Sequence, residues 1–241
     1  MNIQNESNIK RFRKRKWNEI TDKDNIPICD KVHSELNWKI IKYENLNLSY
    51  CSTFLSSCDS QRFFTELEKE VKYLSGDLAK VRVYGKWHNL PRQQAAYGDI
   101  GLTYKFSGFT IPALSWTSTV LELKTRLEEL IPYKFNFCLI NRYRNGTDSI
   151  GEHRDDEKEL DNETPIASIS LGQHRDFVFR HKDCRSKNLT RKIEPYKILL
   201  ENGSVLLMNP PTNTYWYHSL PVRKKLPGIR INLTYRRIVS K

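Results

Sequence analysis

Two hydrophobic periods divide this chain. Between residues 59 and 74, Phe63, Phe64, Leu67, Val71 and Leu74 recur three and four apart, which predicts an amphipathic helix with Asp59 or Ser60 as its N-cap. Gly76-Asp77 lies beyond its end. A second helix is predicted over Trp116 to Ile131, with Val120, Leu123, Leu127 and Leu130 on the apolar side and Pro132 as its stop. Both helices are given a structural role only. Elsewhere the period is two. Ser34 to Tyr50 alternates polar and apolar residues and enters an edge strand, and Lys80 to Val83 reads as a further strand. Gly101 to Gly108 reads as a strand between glycines, with Tyr104 and Phe106 on one face. From Phe135 onward the pattern is strands and turns, among them Phe135–Tyr143, Arg175–His181, the apolar run Val205–Met208 and Arg230–Arg236. The expected architecture is mainly β with bracing helices.

Residues 1 to about 35 have no hydrophobic period and carry the run Lys10-Arg11-Phe12-Arg13-Lys14-Arg15-Lys16. A run of this density reads as a nuclear address or a nucleic-acid arm, with a merely solvated tail as the plain alternative. Of a net charge of +12, the first twenty residues hold +4, so the remainder is basic in its own right. Such a balance favours a polyanionic partner or an anionic membrane surface. No apolar run approaches the length of a bilayer span, and the polar start is not that of a signal peptide. Five cysteines without a C-x-x-C pair fit free thiols in a reducing compartment. The expected division is a disordered basic tail over 1–35 and one domain over 36–241.

The candidate chemistry begins at Gly151-Glu152-His153-Arg154-Asp155-Asp156-Glu157. On an extended segment His153 and Asp155 face the same way, and His218, after the apolar run at 205–208, is the best third ligand. Two histidines and a carboxylate form the facial triad of non-haem Fe(II) oxygenases, although zinc hydrolases use the same residue types. In the last strand Arg230, Asn232, Thr234 and Arg236 share a face. That row is either a solvated basic edge or the polar wall of a cavity for a dicarboxylate, which guanidinium groups bind bidentately. Asn141 and Tyr143 share a face of their own strand and offer further polar contacts to the same ligand.

Six strings stand in order: Asn141-Arg142-Tyr143, Ile150 to Glu157, Pro165-Ile166-Ala167-Ser168, Asp176 to Lys182, Tyr217-His218-Ser219-Leu220-Pro221 and Arg230 to Arg236. Over roughly residues 80 to 240 the chain resembles the AlkB family of Fe(II)- and 2-oxoglutarate-dependent dioxygenases, and within it the branch that repairs double-stranded DNA. The resemblance implies a double-stranded β-helix, a jelly-roll-like barrel of the cupin kind, with the metal at its mouth. It also implies nucleotide-recognition hairpins at about 80–110. Fe(II), 2-oxoglutarate and O2 are the implied cofactor and co-substrates. The implied reaction is oxidative demethylation of 1-methyladenine and 3-methylcytosine, releasing formaldehyde, succinate and CO2. His153, Asp155 and His218 would hold the metal. Asn141, Tyr143, Arg230, Asn232, Thr234 and Arg236 would hold 2-oxoglutarate, Arg230 at the far carboxylate and Arg236 nearer the metal.

By the same resemblance Val83-Tyr84-Gly85 is the tip of a finger that enters the duplex, with tyrosine where phenylalanine is usual. Tyr104-Lys105-Phe106 borders the base pocket, and Asp156 and Glu157 contact the exocyclic amine of the alkylated base. Arg92, Arg180, Arg185, Lys187, Arg223, Lys224 and Lys225 are candidate contacts to the DNA backbone, the middle ones in a loop with six Lys or Arg against one Asp over residues 180–192. The expected partner is double-stranded DNA with alkylated bases, in the nucleus and away from any membrane. No clamp-binding pattern is visible in the tail. A single-strand or RNA demethylase, a zinc hydrolase and a metal-free DNA-binding protein remain as alternatives.

Overall fold

A computed structural model describes residues 36–83, 85–106, 109–155, 157, 159–184 and 191–239. Their elements in chain order are β1 (Lys39–Tyr43), β2 (Leu46–Cys51), α1 (Ser57–Glu70), β3 (Lys80–Val83), β4 (Lys86–Asn89), β5 (Gln93–Gly98), β6 (Thr103–Phe106), β7 (Phe109–Pro112), α2 (Ser118–Leu130), β8 (Phe137–Tyr143), β9 (Ile150–His153), β10 (Ile166–Gly172), β11 (Arg175–His181), β12 (Tyr196–Leu200), β13 (Ser204–Met208), α3 (Thr212–Tyr215), β14 (Trp216–Leu220) and β15 (Arg230–Arg236). They form a seven-stranded sheet in the order β1-β2-β13-β10-β15-β8-β5, a four-stranded sheet in the order β12-β11-β14-β9, and two hairpins, β3-β4 and β6-β7. Every ladder is antiparallel.

Alternation along the central strands sorts side chains into two layers. Ile231, Leu233 and Tyr235 of β15, with Ile169 and Leu171 of β10, pack against Phe63 and Leu67 of α1 and Val120, Leu123 and Leu127 of α2. The Tyr235 hydroxyl donates to the Val120 carbonyl at 2.7 Å, tying this face to the helix. The opposite face of the large sheet looks toward the small one, where Tyr143, Ile166, Leu206 and Met208 meet Phe177, Phe179, Trp216 and Leu220. Two facing sheets, with helices covering one of them from outside, make the expected jelly-roll-like layering. No helix among the described residues is long and apolar enough to cross a membrane.

Three element expectations need correction. The first helix is capped by Ser56, whose extended backbone lets its hydroxyl accept from the Asp59 amide at 3.0 Å. It ends at Glu70, before Leu74, because Val71 already has extended dihedrals. The second helix is capped by Thr117, and Leu130 at its last position is 41% exposed. Periodicity assigns a face but not how far the covering sheet extends beneath it. The stretch expected as one strand forms two, Lys39–Tyr43 and Leu46–Cys51, joined where Glu44 and Asn45 take positive φ, so that β1 is the edge and β2 is interior.

Candidate active site

The metal ligands come together through pairing of β9 with β14, which sets His153 directly opposite His218. Alternation in β14 turns Trp216, His218 and Leu220 into the space between the sheets. The imidazole rings lie 4.3 Å apart, centroid to centroid, and the Phe177 ring lies 5.3 Å from that of His218. Asp155 Oδ1 is 3.8 Å from His153 Nε2 and 3.9 Å from His218 Nε2. The ligand atoms of the three all lie within 4.8 Å of one another, and they form the one such group among the described residues. Gly151 supplies a carbonyl 2.9 Å from His153 Nδ1, so the ring proton sits there and Nε2 keeps its lone pair for a metal. Strand spacing is not what brings Asp155 to this point, because β9 ends at His153.

Asp155 is buried, which favours its neutral acid, yet its carboxyl is held below the usual carboxylate range, chiefly by the Arg236 guanidinium. Arg236 donates through Nε at 3.0 Å and Nη2 at 2.7 Å to the same oxygen, Oδ2. Burial pushes His218 well below the ordinary imidazole range, which leaves it neutral. An anionic oxygen and two imidazole nitrogens converging on one point suit a divalent transition metal with open positions beside them.

The row on β15 is no solvated edge. The strand lies between β10 and β8, and Arg230 is 1% exposed. Its Nη2 donates to Ser170 Oγ at 3.0 Å, while Nε and Nη1 are buried without a protein partner. The Tyr143 ring faces the same guanidinium at 5.3 Å. Burial pulls Arg230 down to about 10, so it remains cationic near neutral pH. A buried cation with unmet donors is costly, and a carboxylate arriving beside it offsets that cost through a charge-assisted hydrogen bond. The donor set therefore fits the far end of 2-oxoglutarate. Asn232 and Thr234 line the same row but already have protein partners. Asn232 Nδ2 donates to Ser168 Oγ and Ile169 O, each at 2.8 Å, and Thr234 donates to Asn232 Oδ1 at 3.3 Å. Asn141 Oδ1 accepts from Arg92 Nε at 2.9 Å and Gln94 Nε2 at 3.0 Å, which leaves its Nδ2 for a ligand.

Arg92 cannot serve the DNA backbone as expected. It is buried, and its guanidinium is spent on Asn141 and the Ser149 carbonyl inside the fold. Arg180 and Arg223 reach the surface but are paired, with Glu152 at 2.8 Å and Asp176 at 2.7 Å. Lys224 and Lys225 are exposed. Glu157 and Arg236 share a cavity of about 160 Å³ with Thr103, Phe137 and Leu160. Gly85 takes a φ of +81° in the turn of the β3-β4 hairpin, whose β4 residues are all exposed. Tyr84, Asp156, Arg185 and Lys187, and the side chains of Val83, Tyr104, Lys105 and Phe106, lie outside the described residues.

Sequence reasoning missed the partners from β10, Ser168 and Ser170, although period two from a buried Ile169 would have placed them on the site face. It also missed Arg175, 1% exposed, whose Nη2 donates to the Asp148 carbonyl at 2.9 Å and the Pro221 carbonyl at 2.7 Å. Asn213, on α3, was missed as well. Nothing local marks Arg175 or Asn213.

Known proteins are similar to this chain. The family model described as "2OG-Fe(II) oxygenase superfamily" matches residues 47–236. The chain is 52% identical to the DNA oxidative demethylase ALKBH2 of Bos taurus, over 85% of this chain and 73% of that one. It is 51% identical to the enzyme of the same name in Homo sapiens, over 84% of this chain and 77% of that one. Among solved structures OsALKBH1 superposes with a TM-score of 0.51 at 20% identity, covering 81% of this chain and 100% of that one.

Proposed function

Because the chain belongs to the AlkB family within the 2OG-Fe(II) oxygenase superfamily, we propose that it is a DNA-repair enzyme that demethylates 1-methyladenine and 3-methylcytosine in double-stranded DNA. The observation that carries this reading is the Arg230 guanidinium, buried with two unmet donors in the same intersheet layer as the His153-Asp155-His218 cluster. A zinc hydrolase has no use for such a cradle. Bound iron with 2-oxoglutarate and O2 would supply the oxidising power, 2-oxoglutarate leaving as succinate and CO2. The hydroxylated N-methyl group of the base is then lost as formaldehyde.

The protein's own residues orient and enclose. His153, Asp155 and His218 hold the metal. Arg230 fixes the far carboxylate, with Tyr143 against its guanidinium and Asn141 Nδ2 available beside them. Arg236 holds Asp155 in place. Positions N1 of adenine and N3 of cytosine lie on the pairing edge, so the base must leave the stack before it reaches the metal. The β3-β4 hairpin, with Tyr84 next after β3 in sequence, is the element proposed to fill the gap, and the Tyr104–Phe106 strand and Asp156 and Glu157 are proposed to receive the base. The basic run at 10–16 is proposed as a nuclear address on a tail preceding a single domain from 36 to 241.

Formaldehyde release tests the reading: purified protein with Fe(II), ascorbate and 2-oxoglutarate is given 1-methyladenine in a duplex and in a single strand. Faster release from the duplex is expected. Faster release from the single strand would transfer the assignment to a single-strand or RNA demethylase. No release from either would remove it.

A further inference from the structure

Strand β9 ends at His153, yet the metal-facing carboxylate belongs to Asp155, two residues past the last ladder position. Something other than a sheet must hold that backbone. Asn213 does so with one carboxamide: its Oδ1 accepts from the Asp155 amide at 3.1 Å, and its Nδ2 donates to the Asp155 carbonyl. Both backbone groups of the ligand residue are thus met by a side chain that stands in for a partner strand.

The clamp is itself anchored on the opposite side. Thr212, its neighbour in α3, accepts from the Asn47 amide at 2.8 Å and donates to the Asn47 carbonyl at 3.1 Å, which fastens α3 to β2 of the large sheet. Arg154 Nη1 donates to the Thr214 carbonyl at 2.8 Å, adding a second tie between α3 and the ligand segment. The chain then runs directly from α3 into β14, where it presents His218. One short helix therefore fixes the backbone of one ligand and the start of the strand bearing another.

We propose that Asn213 is a positioning residue of the metal centre. It holds the backbone of Asp155 so that Oδ1 meets Nε2 of His153 and His218 while Oδ2 stays on Arg236. This rests on the metal-binding reading of the cluster. Residues that orient a ligand without touching the metal commonly change metal affinity ten- to a hundredfold when replaced.

The test uses the metal-free full chain titrated with Mn(II), read by electron paramagnetic resonance of the free ion, in wild type, Asn213→Ala, Asn213→Asp and His218→Ala. The aspartate keeps the acceptor and loses the donor. Both Asn213 variants are expected to bind Mn(II) roughly ten- to a hundredfold more weakly. Their metal-free melting temperatures should fall by no more than about 8 °C, as the loss of two hydrogen bonds allows in a protein of this size. Unchanged Mn(II) affinity in both variants overturns the proposal. So does a metal-free protein that no longer folds in either, since Asn213 would then serve the fold as a whole. Equal Mn(II) binding by wild type and His218→Ala would instead remove the metal reading beneath it.

Discussion

The two oxygens of Asp155 have separate tasks. Oδ2 carries both hydrogen bonds from Arg236, and Oδ1 is left toward the imidazoles. Removing any of His153, Asp155 or His218 leaves two ligands for a metal. Alanine at each of these positions should abolish turnover while duplex binding, measured at one salt concentration, stays near that of wild type, because the proposed phosphate contacts are other residues. Full activity in any one variant would strike that residue from the triad. Arg230 supports a prediction of another kind. An unmet donor forms a charge-assisted bond once a carboxylate arrives, worth about 1.5–3 kcal/mol. Arg230→Ala should therefore raise the 2-oxoglutarate concentration for half-maximal succinate formation roughly ten- to a hundredfold. Arg230→Lys should recover part of that, since a point charge replaces a fork. An unchanged 2-oxoglutarate requirement in the alanine variant would place the co-substrate somewhere else.

Elements set which side chains meet. The histidines are 65 residues apart in sequence and adjacent across one ladder, and the arginine row lies on a strand whose every residue is buried. The β3-β4 hairpin is the opposite case, with each β4 residue exposed, including Trp87 at 50%. A two-stranded hairpin has little stability alone and suits an element completed by what it binds. Tyr84, which follows β3 in sequence, is the proposed wedge. Flipping a base costs a few kcal/mol of stacking, and an aromatic returns about 1–3 kcal/mol. Tyr84→Ala should slow repair of 1-methyladenine in a duplex by roughly five- to a hundredfold and spare the single strand, whereas Tyr84→Phe should be near neutral. The measurement is four demethylation rates per variant pair at fixed salt. Equal losses on both substrates would move Tyr84 from the finger into the pocket or core.

At the scale of the molecule, charge is what the described surface offers a polyanion. The whole chain carries +12, but several of its guanidinium groups are spent inside the protein or on carboxylates. Arg92, Arg175 and Arg230 are buried, and Arg180 and Arg223 are paired. Lys224 and Lys225 are exposed on the segment that follows β14. Replacing both with alanine should weaken duplex binding uniformly across sequences. It should also flatten the plot of log affinity against log salt by about 2, from roughly 0.9 per neutralised phosphate. Arg92→Lys, by contrast, should leave that slope alone. An unchanged slope in the double variant would assign phosphate contact to other residues.

Much of this was legible in the chain itself. Period two and period 3.6 determine which residues face a core, so the bracing helices, the central strands and the polar row Arg230-Asn232-Thr234-Arg236 could be read directly. Residue chemistry added the two histidines and the carboxylate, because few side chains can ligate a metal at all. Local pattern, however, says nothing about what lies across a ladder or beneath a helix end. Only the tertiary structure decided that β15 is interior, that Ser168 and Ser170 complete its polar row, that Arg92 is inside, and that Leu130 lies open. It also replaced a strand-spacing argument for Asp155 with a clamp from Asn213, 58 residues away. The physical reason is the same throughout. Amphipathic period is a property of a segment and survives in isolation, whereas desolvation, hydrogen-bond partnership and ion pairing depend on which segments the fold packs together.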